Sequence, residues 1–238
     1  MLLGRLSYTT LIAAVGVLCI VPLVVTALPR FPTPKQSQGL PLEAAKGLLR
    51  DPILLTFGVM LFLESGMEIT IGGWTATFFK EELQITDQRA LVYLSLYWLG
   101  LMMGRMALGP LLRRLSAPRL MLACMSVGFA GAWLLIGARE PSGAVLGVFL
   151  LGLGFSATFP VVLGLVADRY VALSGTAFSI VIVMALTGGM LLPYATGVLG
   201  NAYGLRGSLL IVPAALLALA ALLSVATSRL ARAASPAA

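Results

Sequence analysis

The sequence predicts an all-α, polytopic membrane protein in which a bundle of helices crosses a lipid bilayer. Of the 238 residues, 59% are hydrophobic and 11% are charged, far from the average composition of a soluble domain. Several apolar runs exceed the ~18 residues that indicate a membrane-spanning helix. Glu64 and Glu68 lie within one of these runs, where a charged side chain costs about 2.5–3.5 kcal/mol and usually has a function.

Seven apolar runs are predicted to cross the membrane. The first, residues 8–28, is longer than the apolar core of a signal peptide and lacks a clear cleavage site, so we expect a retained span rather than the alternative, a cleaved signal. Charged residues, proline or asparagine separate the others, which we place at 52–79, 89–112, 119–138, 142–167, 173–198 and 207–228.

Composition divides the chain into four parts. Residues 1–29 are predicted to be one transmembrane helix, and residues 30–51 a polar, proline-rich linker with a short interfacial helix at 42–49. Residues 52–228 form the predicted six-helix region, and residues 229–238 a tail.

The distribution of basic residues predicts the orientation. One side of the membrane receives ten lysines and arginines at or beyond the ends of the spans and the other receives five: Arg30, Lys35, Lys46, Arg50, Arg113, Arg114, Arg119, Arg169, Arg229 and Arg232 against Arg5, Lys80, Arg89, Arg139 and Arg206. Because the richer side is normally cytoplasmic, we expect the linker and C-terminus in the cytoplasm and the N-terminus outside a cell membrane.

The six later spans divide into two groups of three, residues 52–138 and 142–228. Since each group has an odd number of spans, the second is inverted relative to the first, an arrangement found in many secondary transporters. Small or helix-breaking residues interrupt the first helix of each group, and interrupted helices at matched positions predict a binding site near the bilayer midplane. We expect helix breaks at Gly72, Gly73, Gly152, Gly154 and Pro160.

Three stretches carry a family resemblance: residues 68–74 (EITIGGW), 100–114 (GLMMGRMALGPLLRR) and 152–169 (GLGFSATFPVVLGLVADR). They resemble the seventh, eighth and tenth helices of the major facilitator superfamily, in particular the branch of fucose-permease-like sugar symporters. The resemblance implies the six-helix C-terminal half of that fold, a 3+3 inverted repeat, preceded by one extra helix equivalent to the sixth. It also implies a transporter that moves a small polar solute, with a sugar as the candidate, by ion-gradient-driven alternating access.

Two departures from the family pattern qualify this expectation. No acidic residue precedes Arg113 and Arg114, although the family's loop motif usually carries one. Five helices of the N-terminal half have no counterpart in this sequence. We therefore expect a separate N-terminal half or a second copy as partner, and the alternative function is a non-transporting truncated remnant or membrane interaction protein of the same fold.

The candidate solute site centres on Glu64 and Glu68, which are four residues apart and therefore lie on one helical face. Two carboxylates so close in a medium of low dielectric constant should not both be ionised, which suits a residue that exchanges a proton. Glu68 matches the family position, so the resemblance implies substrate hydrogen bonding or proton coupling there; the alternative is a protonated structural glutamate. Thr158 and Phe159 are expected to line the cavity or to pack between helices.

Aromatic and charged residues on two spans extend this site. Trp74 is a candidate for stacking against a sugar ring, or alternatively an interfacial anchor. Trp98 and Arg105 are seven residues apart and should face the same direction. We expect Arg105 to pair with Asp168 and help to close the cytoplasmic side, as gating residues; the alternative for Arg105 is contact with the substrate.

The same sequence excludes several other classes. There is no histidine, which removes Ser-His-Asp catalysis and histidine-ligated metal sites, and no P-loop motif, so we expect neither an enzyme nor a metal or cofactor. None of the three lysines, Lys35, Lys46 and Lys80, lies inside a late span, which excludes a retinal Schiff base. The net charge of +7 arises in short loops, which indicates topology signals and lipid contact rather than nucleic-acid binding.

Overall fold

The structure, a computed structural model, describes residues 7–28 and 46–234, and this part contains helices and no strand. It divides into two compact units, Met1–Ser37 and Gln38–Ala238. The smaller unit contains helix α1 (Tyr8–Ala27), which Ser7 caps by accepting a hydrogen bond from the backbone N–H of Thr10. Most of the predicted linker, including the start of its short helix, and the last residues of the tail lie outside the described residues.

The larger unit contains six more segments long and apolar enough to cross a membrane, which confirms the predicted seven. Their bounds agree closely with the predicted spans at most ends. The helices are α2 (Pro52–Glu81), α3 (Asp87–Leu112), α4 (Ala117–Gly137), α5 (Pro141–Phe155), α6 (Thr158–Arg169), α7 (Ser174–Tyr203), the short α8 (Leu205–Ser208) and α9 (Ile211–Ala234), with a 3₁₀ turn at Val171–Leu173.

The packing follows the predicted inverted repeat. The first helix of one group, α2, packs against the second and third long helices of the other group, α7 and α9. The first segment of the second group, α5, likewise packs against α3 and α4. This exchange of partners is what a twofold relation between two groups of three helices produces.

Glycines allow these helices to approach closely. A Cβ atom at Gly188 of α7 would collide with the backbone carbonyl of Phe62 in α2, and one at Gly152 of α5 would collide with that of Tyr97 in α3. At the α4–α5 contact, a Cβ on Gly154 would collide with the Cα of Gly128. Helices in membranes associate through such backbone contacts because lipid tails supply no hydrophobic drive between them.

The break expected at Gly72 and Gly73 is wrong, because α2 is continuous from Pro52 to Glu81. Gly72 instead makes room for a neighbouring side chain: a Cβ there would lie 3.1 Å from the indole of Trp98. Gly152 and Gly154 are also helical and serve in packing. At these positions, therefore, glycine allows close packing between helices and does not interrupt them.

A break does occur in the second group, at Ser156 and Ala157 between α5 and α6. Its cause is Pro160, which has no N–H for the carbonyl of Ser156 and whose ring would crowd that carbonyl in a continuous helix. The Ser156 hydroxyl turns back to donate to the carbonyl of Leu153 at 2.7 Å. The side chain of Ser156 also lies where a Cβ of Gly104 would be, so the break packs directly against α3.

One end of the bundle, which we call the Asp51 end, fastens α2 to the second group. Asp51 caps α2 by accepting from the N–H of Ile53 at 2.7 Å, and it also accepts from the hydroxyl of Tyr170 at 2.7 Å. Burial and this hydrogen bond raise the pKa of Tyr170 to about 12, so the hydroxyl keeps its proton at physiological pH. From α9, Arg229 donates to the carbonyl of Pro52 at 2.8 Å.

The opposite end, which we call the Glu82 end, is held by Arg206 of α8. Its guanidinium pairs with Glu82 at 3.1 Å, donates to the carbonyls of Ile136 and Ala138 at the end of α4, and lies 5.1 Å from the ring centroid of Phe78. These contacts satisfy carbonyls that the end of α4 leaves without partners. One side chain therefore joins α2, α4 and α8.

Replacing Arg206 with methionine is expected to lower the free energy of unfolding by about 2–4 kcal/mol, because Glu82 loses its cation and two carbonyls lose a charged donor. Thermal unfolding in detergent measures this loss. Arg139→Met is the matched control, since Arg139 lies at the same end with no hydrogen bond or ion pair in the described part of the chain. Equal unfolding temperatures for the two variants would contradict this role for Arg206.

Candidate functional site

Two of the three acidic residues of α2, Glu64 and Glu68, occupy different surroundings near the middle of its 30 residues. Glu64 is fully buried, whereas the Glu68 side chain is 18% exposed. Both line one cavity, as expected for positions four apart on a helix. The structure therefore places the pair inside the bundle, near the middle of α2.

Arg105 of α3 forms an ion pair with Glu68, with 3.0 Å between Nη2 and Oε2. The expected pairing of Arg105 with Asp168 is therefore wrong. Asp168 lines a cavity with Leu112 at the end of α3, and Arg105 lies seven residues, or about 10 Å, further along that helix. The difference in depth separates the two side chains, and a gating role for either one stays a prediction.

A cavity of about 450 Å³ surrounds the ion pair, a size typical of small-molecule sites. Helix α2 contributes Glu64, Ser65 and Glu68, and α3 contributes Arg105. The third wall is the start of α6 just after the helix break, and its lining residues are Phe159, Pro160 and Leu163. Phe159, which was expected to line the cavity or to pack between helices, lines this cavity, and so does Pro160.

Arg105 also borders a second cavity, of about 480 Å³, together with Trp98 and Met102. Trp98 covers Gly72, which lies one turn beyond Glu68 on α2. The predicted common direction of Trp98 and Arg105 therefore brings an aromatic surface beside the ion pair. An aromatic ring next to charged hydrogen-bonding groups can stack against the apolar face of a sugar while those groups bind its hydroxyls.

Two other candidate residues lie elsewhere. The indole N–H of Trp74 donates to the carbonyl of Pro193 in α7 at 3.0 Å, and its ring covers Gly197. Six residues separate Trp74 from Glu68, which turns it to another face of α2. Thr158 is buried at the start of α6 and does not line the cavity that contains Phe159.

Two residues of this region, Ser65 and Tyr97, were not predicted from the sequence. Ser65 lines the cavity between the two glutamates. Tyr97 is fully buried, and its hydroxyl donates to the backbone carbonyl of Glu68 at 3.4 Å. The spacing of eight residues between Tyr97 and Arg105 places them near one helical face and was the available signal for Tyr97.

These groups supply charge and hydrogen bonds in a largely apolar setting. Arg105 offers several N–H donors, and Glu68 offers acceptor oxygens. In the described residues, no group of three or more histidine, cysteine, aspartate or glutamate side chains is arranged to hold a metal. The arrangement can therefore bind a neutral solute that carries several hydroxyl groups.

Comparison with known proteins places this architecture in a family. The sequence profile of the Major Facilitator Superfamily matches residues 1–170. The chain belongs to the Major Facilitator Superfamily. Seven membrane-length helices in the described residues and the paired groups of three agree with this membership.

Two similar proteins come from Helicobacter pylori, strains 26695 and J99, and both are named "Putative glucose/galactose transporter". They are 30% identical over 168 residues and 31% identical over 169 residues, in each case 69% of this chain. Each alignment spans 40% of the relative's own length.

Several solved structures share the fold. The Escherichia coli fucose:proton symporter FucP matches with a TM-score of 0.76 at 17% identity, over 94% of this chain and 60% of FucP. FucP in the outward conformation gives a TM-score of 0.74. The structure of PepTSo2 matches with a TM-score of 0.60 at 18% identity, over 75% of this chain and 41% of that one.

Proposed function

We propose that this chain forms part of a secondary transporter that carries a small polar solute, a monosaccharide, across a cell membrane. The observation that carries the proposal is the Glu68–Arg105 ion pair, which lies within membrane-spanning helices and lines a cavity of about 450 Å³. Charged groups at this depth are costly and usually mark a solute pathway. The names of the Helicobacter pylori relatives support glucose and galactose as the first solutes to test.

The pair and its neighbours have distinct roles in this proposal. Glu68 accepts hydrogen bonds from sugar hydroxyls while Arg105 donates to sugar oxygens, and Trp98 offers its ring beside them. Phe159, just after the break between α5 and α6, lines the opposite wall of the cavity. The break is also a joint at which the two helical segments can change their angle. The likeness in fold to FucP, a fucose:proton symporter, supports ion coupling.

Orientation and partners follow from the same proposal. The excess of basic residues favours a cytoplasmic linker at 30–51, a cytoplasmic tail at 229–238 and an external N-terminus. The chain aligns with 40% of the length of the curated relatives. A separate N-terminal half or a second copy is the partner that we propose for the rest of the pathway. Residues 52–228 then act as one half, and residues 1–29 as an additional helix.

Binding of radiolabelled D-galactose to the chain in lipid nanodiscs tests this function. We expect saturable binding that unlabelled D-glucose or D-galactose displaces, and Glu68→Gln should weaken it at least tenfold by removing a charged acceptor, about 1.4 kcal/mol. Glu81→Gln, the same substitution at an exposed position of α2, is the control. Absence of sugar binding to the folded chain would reject the proposal for this chain, and would favour the non-transporting alternative.

A further inference from the structure

Glu64 is unlike the other acidic residues of the described chain. Its side chain is completely buried, and neither carboxylate oxygen has a hydrogen-bond partner. It nevertheless lines the same cavity as Glu68 and Arg105. A buried carboxyl without partners is normally avoided because the ionised form loses its hydration without compensation.

The charges around Glu64 come almost entirely from one neighbouring helix. The helices packed against α2 are α3, α5, α6, α7 and α9. Helix α5 has no titratable residue, and those of α6, α7 and α9 lie at the ends of their helices or are exposed: Asp168, Arg169, Tyr194, Tyr203, Arg229 and Arg232. Only α3 brings titratable side chains close to the acidic pair in the described structure, namely Arg105 and Tyr97, with Glu68 itself on α2.

One cation therefore faces two carboxyl groups. Arg105 already pairs with Glu68, so a negative charge on Glu64 has no cation of its own. Removing an unpaired ion from water costs several kcal/mol even after the protein relaxes. A proton on Glu64 removes this cost and leaves the ion pair intact.

A bound metal cation would neutralise the charge of Glu64 less well than a proton does. Sodium sites in transporters use backbone carbonyls freed by unwound helix segments. Helix α2 is continuous past Glu64 and Glu68, so its carbonyls accept helical hydrogen bonds, and the Arg105 guanidinium nearby repels a second cation.

We propose that Glu64, rather than Glu68, is the group that takes up and releases the coupling proton, while Glu68 remains the ionised partner of Arg105. This inference rests on the proposed function and changes the assignment that the family position of Glu68 suggested. On release, the carboxylic acid of Glu64 gives its proton to water in the cavity and becomes a carboxylate. The two carboxylates then compete for Arg105, which loosens the Glu68–Arg105 pair that contacts the solute.

Infrared difference spectroscopy of the full chain in nanodiscs tests the proton assignment without any transport. At neutral pH we expect a carbonyl stretch from a protonated carboxylic acid, and this band should disappear at strongly alkaline pH. The band should persist in Glu81→Gln, be lost in Glu64→Gln, and shift in frequency in Glu64→Asp. Survival of the unshifted band in both Glu64 variants, or its absence from the wild type, would overturn the proposal.

Calorimetry separates this inference from the proposed function. D-Galactose binding to the wild type is measured in two buffers with different enthalpies of ionisation, which gives the number of protons exchanged per sugar bound. Exchange of protons supports coupling at Glu64, whereas binding with no exchange at any pH from acidic to alkaline contradicts it. If the wild type binds no sugar, the proposed function fails while the infrared result still decides which residue holds the proton.

Discussion

Arg105→Met is expected to remove detectable monosaccharide binding and to destabilise the chain. The substitution keeps most of the apolar stem but leaves Glu64 and Glu68 facing each other without a cation. We expect binding to weaken by more than tenfold, and stability to fall by about 1–3 kcal/mol, less than for a fully buried pair because the Arg105 side chain is 44% exposed.

The matched control is Arg89→Met, which removes an exposed arginine from the first turn of the same helix. A double variant separates the effect of Arg105 on stability from its effect on sugar binding. Adding Glu68→Gln to Arg105→Met should restore much of the lost stability, because no unpaired charge remains, but it should not restore sugar binding. Radioligand binding and thermal unfolding in the same nanodiscs measure both quantities, and wild-type affinity in Arg105→Met would contradict the site.

Gly154→Ala is expected to lower the stability of the fold strongly. The added methyl group would collide with the backbone of Gly128, so α4 and α5 must separate, and neither backbone can rotate away as a side chain can. Overpacking of this kind costs about 1–3 kcal/mol and occasionally more, and we expect about 3 kcal/mol or greater here.

Gly164→Ala is the matched control in the adjoining segment α6. Nothing lies within 4 Å of a Cβ at Gly164, so alanine should be neutral or should stabilise the helix by about 0.5–1 kcal/mol. Thermal unfolding in one detergent compares the two variants. Similar stability of Gly154→Ala and Gly164→Ala would mean that the close approach of α4 and α5 does not hold the bundle together.

The membrane spans were predictable because hydropathy and length alone decide whether a helix can cross a bilayer. The bounds of α3 and α4 followed from the charged residues and prolines that separate the apolar runs. The position of the break in the second group was also close to expectation, since Pro160 removes a hydrogen bond wherever the helix packs. In contrast, Gly72 and Gly73 lie in an unbroken helix, because glycine permits a bend without requiring one.

The candidate site was only partly predictable. The spacing of Glu64 and Glu68 and that of Trp98 and Arg105 are properties of a single helix, and both predictions agree with the residues that line the two cavities. The ion partner of Arg105 depends on the relative height of different helices, which no spacing within one helix encodes. For that reason Glu68, and not Asp168, occupies the position opposite Arg105.

By itself, the sequence determined that this chain is a set of seven membrane helices with two carboxyl groups at the depth of the bilayer, because composition and helical period fix both. The tertiary structure decided that those carboxyl groups differ. Helix packing places Arg105 against Glu68 and leaves Glu64 buried with no hydrogen-bond partner. The physical reason is that one guanidinium can neutralise one carboxylate, and the register between α2 and α3 selects which one.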